Sequence, residues 1–175
     1  VVGDANLAVA DGFYLPYANS VFDVTYCHFF LLWVENPIQV LLEMRRVTRP
    51  GGAVLALAEP DYGGRIDYPE GLAQLGLWQT QSLHKQGADP QIGRKLAGMF
   101  NKVGLRQVEA GVIGGEWRKE VPGNDFDLEW QVLEEDLALH VSEEQFRSMK
   151  KLDASARSRG ERILYVPTFY AWGIV

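Results

Sequence analysis

The chain has 175 residues, 47% of them hydrophobic, which is enough apolar material for one domain with a packed core. Its formal net charge of −6 argues against a nucleic-acid-binding surface, because phosphate contacts need clustered Lys and Arg. The single cysteine, Cys27, excludes an internal disulfide, and the longest apolar run, Phe29–Val34, is too short to span a bilayer. We therefore expect a single domain over residues 1–175 in the cytoplasm, with no nucleic-acid or membrane partner.

The first 60 residues predict strands and a helix in alternation. A short apolar run at 6–10 ends at Asp11-Gly12, and a run rich in β-branched and aromatic residues covers 22–28. A helical pattern follows, stops at Pro50-Gly51-Gly52, and gives way to another apolar run at 53–58. We expect these three runs to be parallel, neighbouring strands with a right-handed crossover between the last two.

The rest of the chain predicts two helical regions and two more strands. Helical spacing of apolar residues covers 69–103 and 125–160, and strands are expected at 105–113 and 163–175. Ser142-Glu-Glu-Gln145 has the spacing of a capping box at the start of a helix.

Two charged clusters are interpreted as solvated helix surface. The acidic run 134–136 has no histidine at ligand spacing, so no metal site is predicted. The densest basic stretch, Arg45-Arg46 with Arg49, stands at a helix end just before a turn.

Several short motifs occur in a fixed order along the chain. They are Asp11-Gly-Phe-Tyr-Leu-Pro-Tyr17, Phe22-Asp-Val24, Arg46-Val-Thr-Arg-Pro-Gly-Gly52 and Pro167-Thr-Phe-Tyr-Ala-Trp-Gly173. In this order the motifs resemble the class I S-adenosylmethionine-dependent methyltransferases, especially their small-molecule group, with Gly12 in place of the usual Ala. The resemblance implies an α/β fold with a Rossmann-like sheet whose last strand is antiparallel, S-adenosylmethionine as cofactor, and a small-molecule methyl acceptor.

The resemblance also implies an adenine site at the first motif. Adenine presents an amine donor and ring-nitrogen acceptors, which a carboxylate beside a backbone N–H can bind together. Asp11 and the amide of Gly12 or Phe13 are therefore the predicted contacts. Phe13 or Tyr14 is a candidate to lie against the adenine ring. Two alternatives stay open: Asp11 as a turn-forming residue, and a core aromatic residue in place of the ring against adenine.

The ends of the next two strands carry the other predicted site residues. Ligands of open α/β sheets bind beyond the carboxyl ends of the strands, so Tyr26, Cys27 and His28 are expected beside the methionine part of the cofactor. His28 is a candidate general base, although a packing or hydrogen-bonding histidine is the alternative. Cys27 is interpreted as buried packing rather than a nucleophile. Glu59 is the second candidate catalytic residue, unless it pairs with an arginine.

Two helical inserts, at 65–100 and 116–160, are expected to shape the pocket for the acceptor. An apolar pocket with few polar groups is typical of small-molecule sites. The predicted substrate-binding residues are the aromatic ones near the strand ends and in the inserts, namely Phe29, Trp33, Tyr62, Trp78 and Trp117. No motif in the inserts identifies the acceptor.

The family's glycine-rich G-x-G-x-G loop, which holds the other side of the cofactor, does not occur in the sequence. We therefore expect an N-terminally truncated methyltransferase fold with half of a cofactor site. One hypothesis is a partial methyltransferase; the alternative is a non-catalytic module that acts through oligomerisation or protein binding. Because an unpaired strand edge invites pairing, we expect a homo-oligomer with residues 1–30 at or near the contact.

Overall fold

The computed structural model describes residues 7–115, 124–137 and 141–175. A four-stranded sheet has the order β1-β2-β6-β4, and a separate two-stranded sheet pairs β3 with β5. The strands are β1 (Phe22–His28), β2 (Thr48–Pro60), β3 (Ile66–Tyr68), β4 (Arg106–Ile113), β5 (Ile163–Tyr165) and β6 (Thr168–Ile174). β1 and β2 are parallel, whereas β6 is antiparallel to both β2 and β4. The predicted α/β fold and the antiparallel last strand are confirmed.

Helices α1 (Pro37–Val47) and α3 (Leu96–Lys102) cover one face of the four-stranded sheet. α1 begins where Asn36 caps it, since the Asn36 side chain accepts a hydrogen bond from the Gln39 amide at 3.2 Å. The apolar stripes of both helices meet the sheet in one core, whose fully buried members include Leu31, Leu41, Val54, Ala56, Leu96, Phe100 and Ala171. α1 is the predicted crossover helix between β1 and β2.

The opposite face of β1 is open. Side chains alternate along a strand, so Val24 and Tyr26 point away from α1, and they are 52% and 68% exposed. Thr25 faces the helix, where its hydroxyl lies 2.8 Å from that of Thr48. Within the described residues no strand pairs with the outer edge of β1.

A second layer contains α2 (Ala73–Lys85), α4 (Asn124–Leu137) and α5 (Glu143–Arg159). These helices enclose a small apolar cluster of Leu75, Phe126, Trp130 and Leu137. The predicted capping box starts α5: Ser142 Oγ accepts from the Gln145 amide, and the Gln145 side chain accepts from the Ser142 amide. None of the described helices is long and apolar enough to cross a membrane.

Three sequence predictions need correction. Residues 7–10 form no strand, and Leu7 and Val9 are almost fully exposed, because no described neighbour offers them a ladder or an apolar surface. The predicted strand at 163–175 is two strands, divided around Pro167, whose carbonyl accepts from the Asp61 amide. The predicted insert at 65–100 extends into α3, but α3 packs against the four-stranded sheet and is not part of the insert.

Candidate cofactor and acceptor sites

The loop before β1 presents a carboxylate and an amide side by side. Asp11 Oδ1 accepts from the Phe13 amide at 2.9 Å, and the Tyr14 amide donates to the Asp11 carbonyl at 3.1 Å. The turn-forming alternative for Asp11 is thus realised, and it occupies the Phe13 amide. Within the described residues, the second carboxylate oxygen of Asp11 accepts no hydrogen bond, and the Gly12 amide donates none. These two groups have the donor and acceptor chemistry that adenine requires.

Gly12 also allows close packing under this loop. A Cβ at position 12 would lie 3.1 Å from Cζ of Phe30, which is tighter than ordinary van der Waals contact. Phe13 packs partly buried against the main core, as its core-aromatic alternative predicts. Tyr14 is 76% exposed instead.

A pair of charged residues on α1 holds the same loop in place. Arg46 donates all five guanidinium hydrogens: two to Glu43, two to the carbonyls of Leu15 and Tyr17, and one to the Asn19 side chain. Glu43 also accepts from the Leu15 amide at 3.0 Å. The hydrogen bond from Arg46 lowers the pKa of Glu43. The interpretation of this basic stretch as solvated surface is therefore wrong for Arg46, because its hydrogen bonds anchor the loop.

At the carboxyl end of β1 the chain makes a sharp turn. Phe29 has φ +47°, a left-handed conformation that costs a non-glycine residue on the order of 1–3 kcal/mol. His28, just before the turn, is exposed, packs edge-on against the Phe29 ring at 5.0 Å, and has no hydrogen bond to a described residue. Its imidazole is thus accessible at the strand end.

Cys27 is a partly buried free thiol. Burial and, to a lesser extent, the nearby charge of Glu59 raise the pKa of Cys27 to about 12. Its Sγ lies 3.9 Å from the Leu55 carbonyl and packs against the core. This environment agrees with the packing interpretation and gives Cys27 no nucleophilic character at neutral pH.

Glu59 is fully buried under the turn that follows β1. Its carboxylate accepts from the amides of Phe30, Leu31 and Leu32 at 2.9, 3.0 and 3.3 Å. A register shift between Ala56 and Glu59, with Ala58 at φ +57°, directs the side chain to this position. Glu59 pairs with backbone rather than with an arginine, and in this geometry it positions the residues after His28.

A cavity of about 550 Å³ follows the outer edge of β1 from Phe22 to His28, beside the loop and α1; we call it the strand-end cavity, after its end at His28. Of the predicted cofactor residues it is lined by Gly12, Tyr26, Cys27 and His28. Asp11 and Phe13 belong to the adjoining loop. The structure thus brings most of the predicted cofactor residues to one place.

The predicted acceptor residues are not all brought together. Phe29 and Trp33 are 44% and 49% exposed near the end of β1. Trp78 packs against the apolar cluster of the helical layer, and only Tyr62 lines a cavity between the inserts. Trp117 lies outside the described residues. The single aromatic pocket that the sequence predicts is therefore divided.

Part of this chain is similar to known methyltransferases. Residues 2–56 match the family model described as a methyltransferase domain. An uncharacterized methyltransferase of Schizosaccharomyces pombe is 34% identical over 85 residues, or 48% of this chain and 30% of that protein. The ubiquinone/menaquinone biosynthesis C-methyltransferase of Bdellovibrio bacteriovorus is 44% identical over 84 residues, or 48% of this chain and 34% of that protein. Each match spans about a third of the relative's length.

Among solved structures, a protein described as a methyltransferase from an antibiotic biosynthesis pathway of Anabaena variabilis has the same fold. It superposes with a TM-score of 0.66 at 11% identity, covering 100% of this chain and 75% of that one. The fold is a Rossmann-like methyltransferase architecture. The family match and the two relatives, which cover less than half of this chain, support a class I S-adenosylmethionine-dependent methyltransferase.

Proposed function

We propose that this chain takes part in S-adenosylmethionine-dependent methyl transfer to a small-molecule acceptor, and that it binds the adenine and methionine side of the cofactor. The observation that carries the proposal is the strand-end cavity beside the Asp11–Gly12 pair. An open carboxylate oxygen and an open amide stand next to each other at its edge, on a loop that Glu43 and Arg46 fix. The family match at residues 2–56 covers this region.

S-adenosylmethionine supplies a methyl group activated by its sulfonium when bound. Asp11 would accept a hydrogen bond from the adenine amine, and the Gly12 amide would donate to a ring nitrogen. His28 would take the proton that the acceptor loses, since an accessible imidazole suits this role near neutral pH. Glu59 would hold the turn that orients His28. The Bdellovibrio relative acts in quinone biosynthesis, which supports a small-molecule acceptor.

Calorimetric titration of the full chain with S-adenosylhomocysteine tests the cofactor assignment. Asp11→Ala removes the adenine-amine acceptor and should weaken binding by about 1–3 kcal/mol. Asp23→Ala is the matched control, because Asp23 is an exposed aspartate paired with Arg49 at the other end of β1. Absence of binding by the parent chain, or equal binding by both variants, would contradict the proposal.

A second candidate function is association through β1, without catalysis. It is supported by the outer edge of β1, which no described strand pairs, and by the exposed Val24 and Tyr26 on the open face of the strand. Sedimentation velocity at micromolar concentration tests it, since we expect a dimer or larger species. Val24→Lys with Tyr26→Lys should shift the chain toward monomer, and a parent chain sedimenting as a 19.6 kDa monomer would rule association out.

A further inference from the structure

A second cavity of about 290 Å³ lies beyond the carboxyl end of β2, between the two inserts; we call it the insert cavity. Tyr62, two residues after β2, lines one side. Most of the remaining wall is apolar and includes Leu75, Trp130, Val132, Leu133, Leu164 and Val166. No described residue lines both this cavity and the strand-end cavity. Its size and apolar wall suit a small organic molecule.

The insert cavity also contains an unusual number of arginines. The side chains of Arg65, Arg157 and Arg162 line it and are only 6%, 12% and 6% exposed. Two aspartates, Asp67 and Asp153, are buried among them, each 3% exposed.

Among the described residues, Asp67 pairs with Arg65 and Arg162, and Asp153 pairs with Arg157 and Arg162. The third acidic partner, Glu129, binds Arg157 at 2.6 Å, but its side chain is 52% exposed at the cavity mouth. Carboxylates thus hold all three arginines in place around the insert cavity.

Arg65 retains hydrogen-bonding capacity. Of its five guanidinium hydrogens it donates two to Asp67 and one to Gln79, which in turn donates to Asp136 at 3.5 Å. The other two have no acceptor among the described residues. Because Arg65 lines the insert cavity, a carboxylate bound there would be within reach of these hydrogens. Tyr62 adds a donor beside it, since burial raises the pKa of Tyr62 and keeps its phenol protonated.

We propose that the insert cavity is the acceptor site and that the acceptor has an apolar body and a carboxylate, which Arg65 and Tyr62 bind. The inference rests on the proposed methyl-transfer function. An arginine guanidinium can donate two parallel hydrogen bonds to one carboxylate, and the apolar wall would enclose the apolar part of the acceptor.

Matched probes test this assignment. The full chain is titrated calorimetrically with 2-naphthoate and with 2-naphthamide, which share one body and differ in charge. We expect 2-naphthoate to bind at least tenfold more tightly. Arg65→Gln should bring the two affinities to within about twofold of each other while leaving 2-naphthamide binding unchanged.

Arg159→Gln is the control, because Arg159 on α5 pairs with Glu161 at the surface and does not line the cavity. If Arg65→Gln fails to fold, Tyr62→Phe removes a donor without touching Asp67 and should reduce the preference severalfold. Equal affinities of the parent chain for both probes, no binding of either, or an unchanged preference in the folded variants would overturn the proposal.

Titration with S-adenosylhomocysteine separates the two proposals. A chain that prefers 2-naphthoate but binds no S-adenosylhomocysteine contradicts the proposed function and supports a carboxylate site. A chain that binds S-adenosylhomocysteine at Asp11 and does not discriminate the probes contradicts the carboxylate site alone.

Discussion

Glu59 shows how one buried side chain can set the geometry of a site. Three amides converge on a carboxylate that has no contact with solvent. The resulting turn leaves His28 at the surface and Phe29 in a left-handed conformation. The sequence predicts Glu59 at the correct strand end, but the register shift that buries it depends on pairing with β6, which a local pattern does not reveal.

Glu59→Gln tests this role. The amide nitrogen of Gln cannot accept from Leu32, so at least one buried N–H loses its acceptor. We expect the free energy of unfolding to fall by about 1–3 kcal/mol, measured by urea denaturation. Glu35→Gln, on the exposed segment before α1, should leave it unchanged. Equal stability of the two variants would remove Glu59 from this structural role.

The raised pKa of Cys27 leads to a second prediction. With a pKa of about 12, little thiolate exists at pH 8. The native chain should therefore react with a thiol-specific disulfide reagent at least about a hundred times more slowly than the chain unfolded in urea. The native rate should keep rising with pH beyond 9, where an ordinary thiol levels off. Equal native and unfolded rates at pH 8 would contradict the buried-thiol assignment.

Among the secondary-structure elements, α1 holds the loop before β1 in place through Glu43 and Arg46. The sequence predicts β1, α1 and β2 because each has a continuous apolar pattern and clear end signals. It fails at 7–10, where an apolar run has no described surface to pack against. Glu43 and Arg46 stand three residues apart on α1, which is a recognisable signal for a pair, but their loop partners are 27 to 31 residues away.

The Glu43–Arg46 pair predicts a pH dependence of stability. The folded-state pKa of Glu43 is lowered, so its carboxylate stabilises the fold above the unfolded-state pKa near 4.3. This stabilisation is lost as pH falls through the folded-state pKa. At pH 7, Glu43→Gln should lower the unfolding midpoint by roughly 2–4 °C. The difference should be smaller at pH 3 than at pH 7.

Glu135→Gln, on the exposed face of α4, provides the control and should change the midpoint little at either pH. A Glu43→Gln deficit that is the same at pH 7 and at pH 3 would mean that the carboxylate charge does not stabilise the loop.

At the scale of the whole molecule, one cavity follows the edge of β1 and the other lies beyond the end of β2. The part of the strand-end cavity around His28 was predictable from a strand pattern and a turn, whereas its walls at Phe22 and on α1 were not. The insert cavity was not predictable, since its charged side chains pair across long sequence separations: Arg162 and Asp67 are 95 residues apart. The aromatic residues that the sequence favours instead serve in part to pack the helical layer, as Trp78 does.

Hydrogen–deuterium exchange of the full chain, with and without saturating S-adenosylhomocysteine, tests whether the loop before β1 and the end of β1 bind the cofactor. The cofactor should order the Asp11–Gly12 loop and the turn after β1. We predict slower exchange in peptides covering residues 8–20 and 24–34, with no change in α5, and loss of the effect at 8–20 in Asp11→Ala. No protection at these segments, or protection confined to the helical layer, would mean that the cofactor does not bind at the loop and the end of β1.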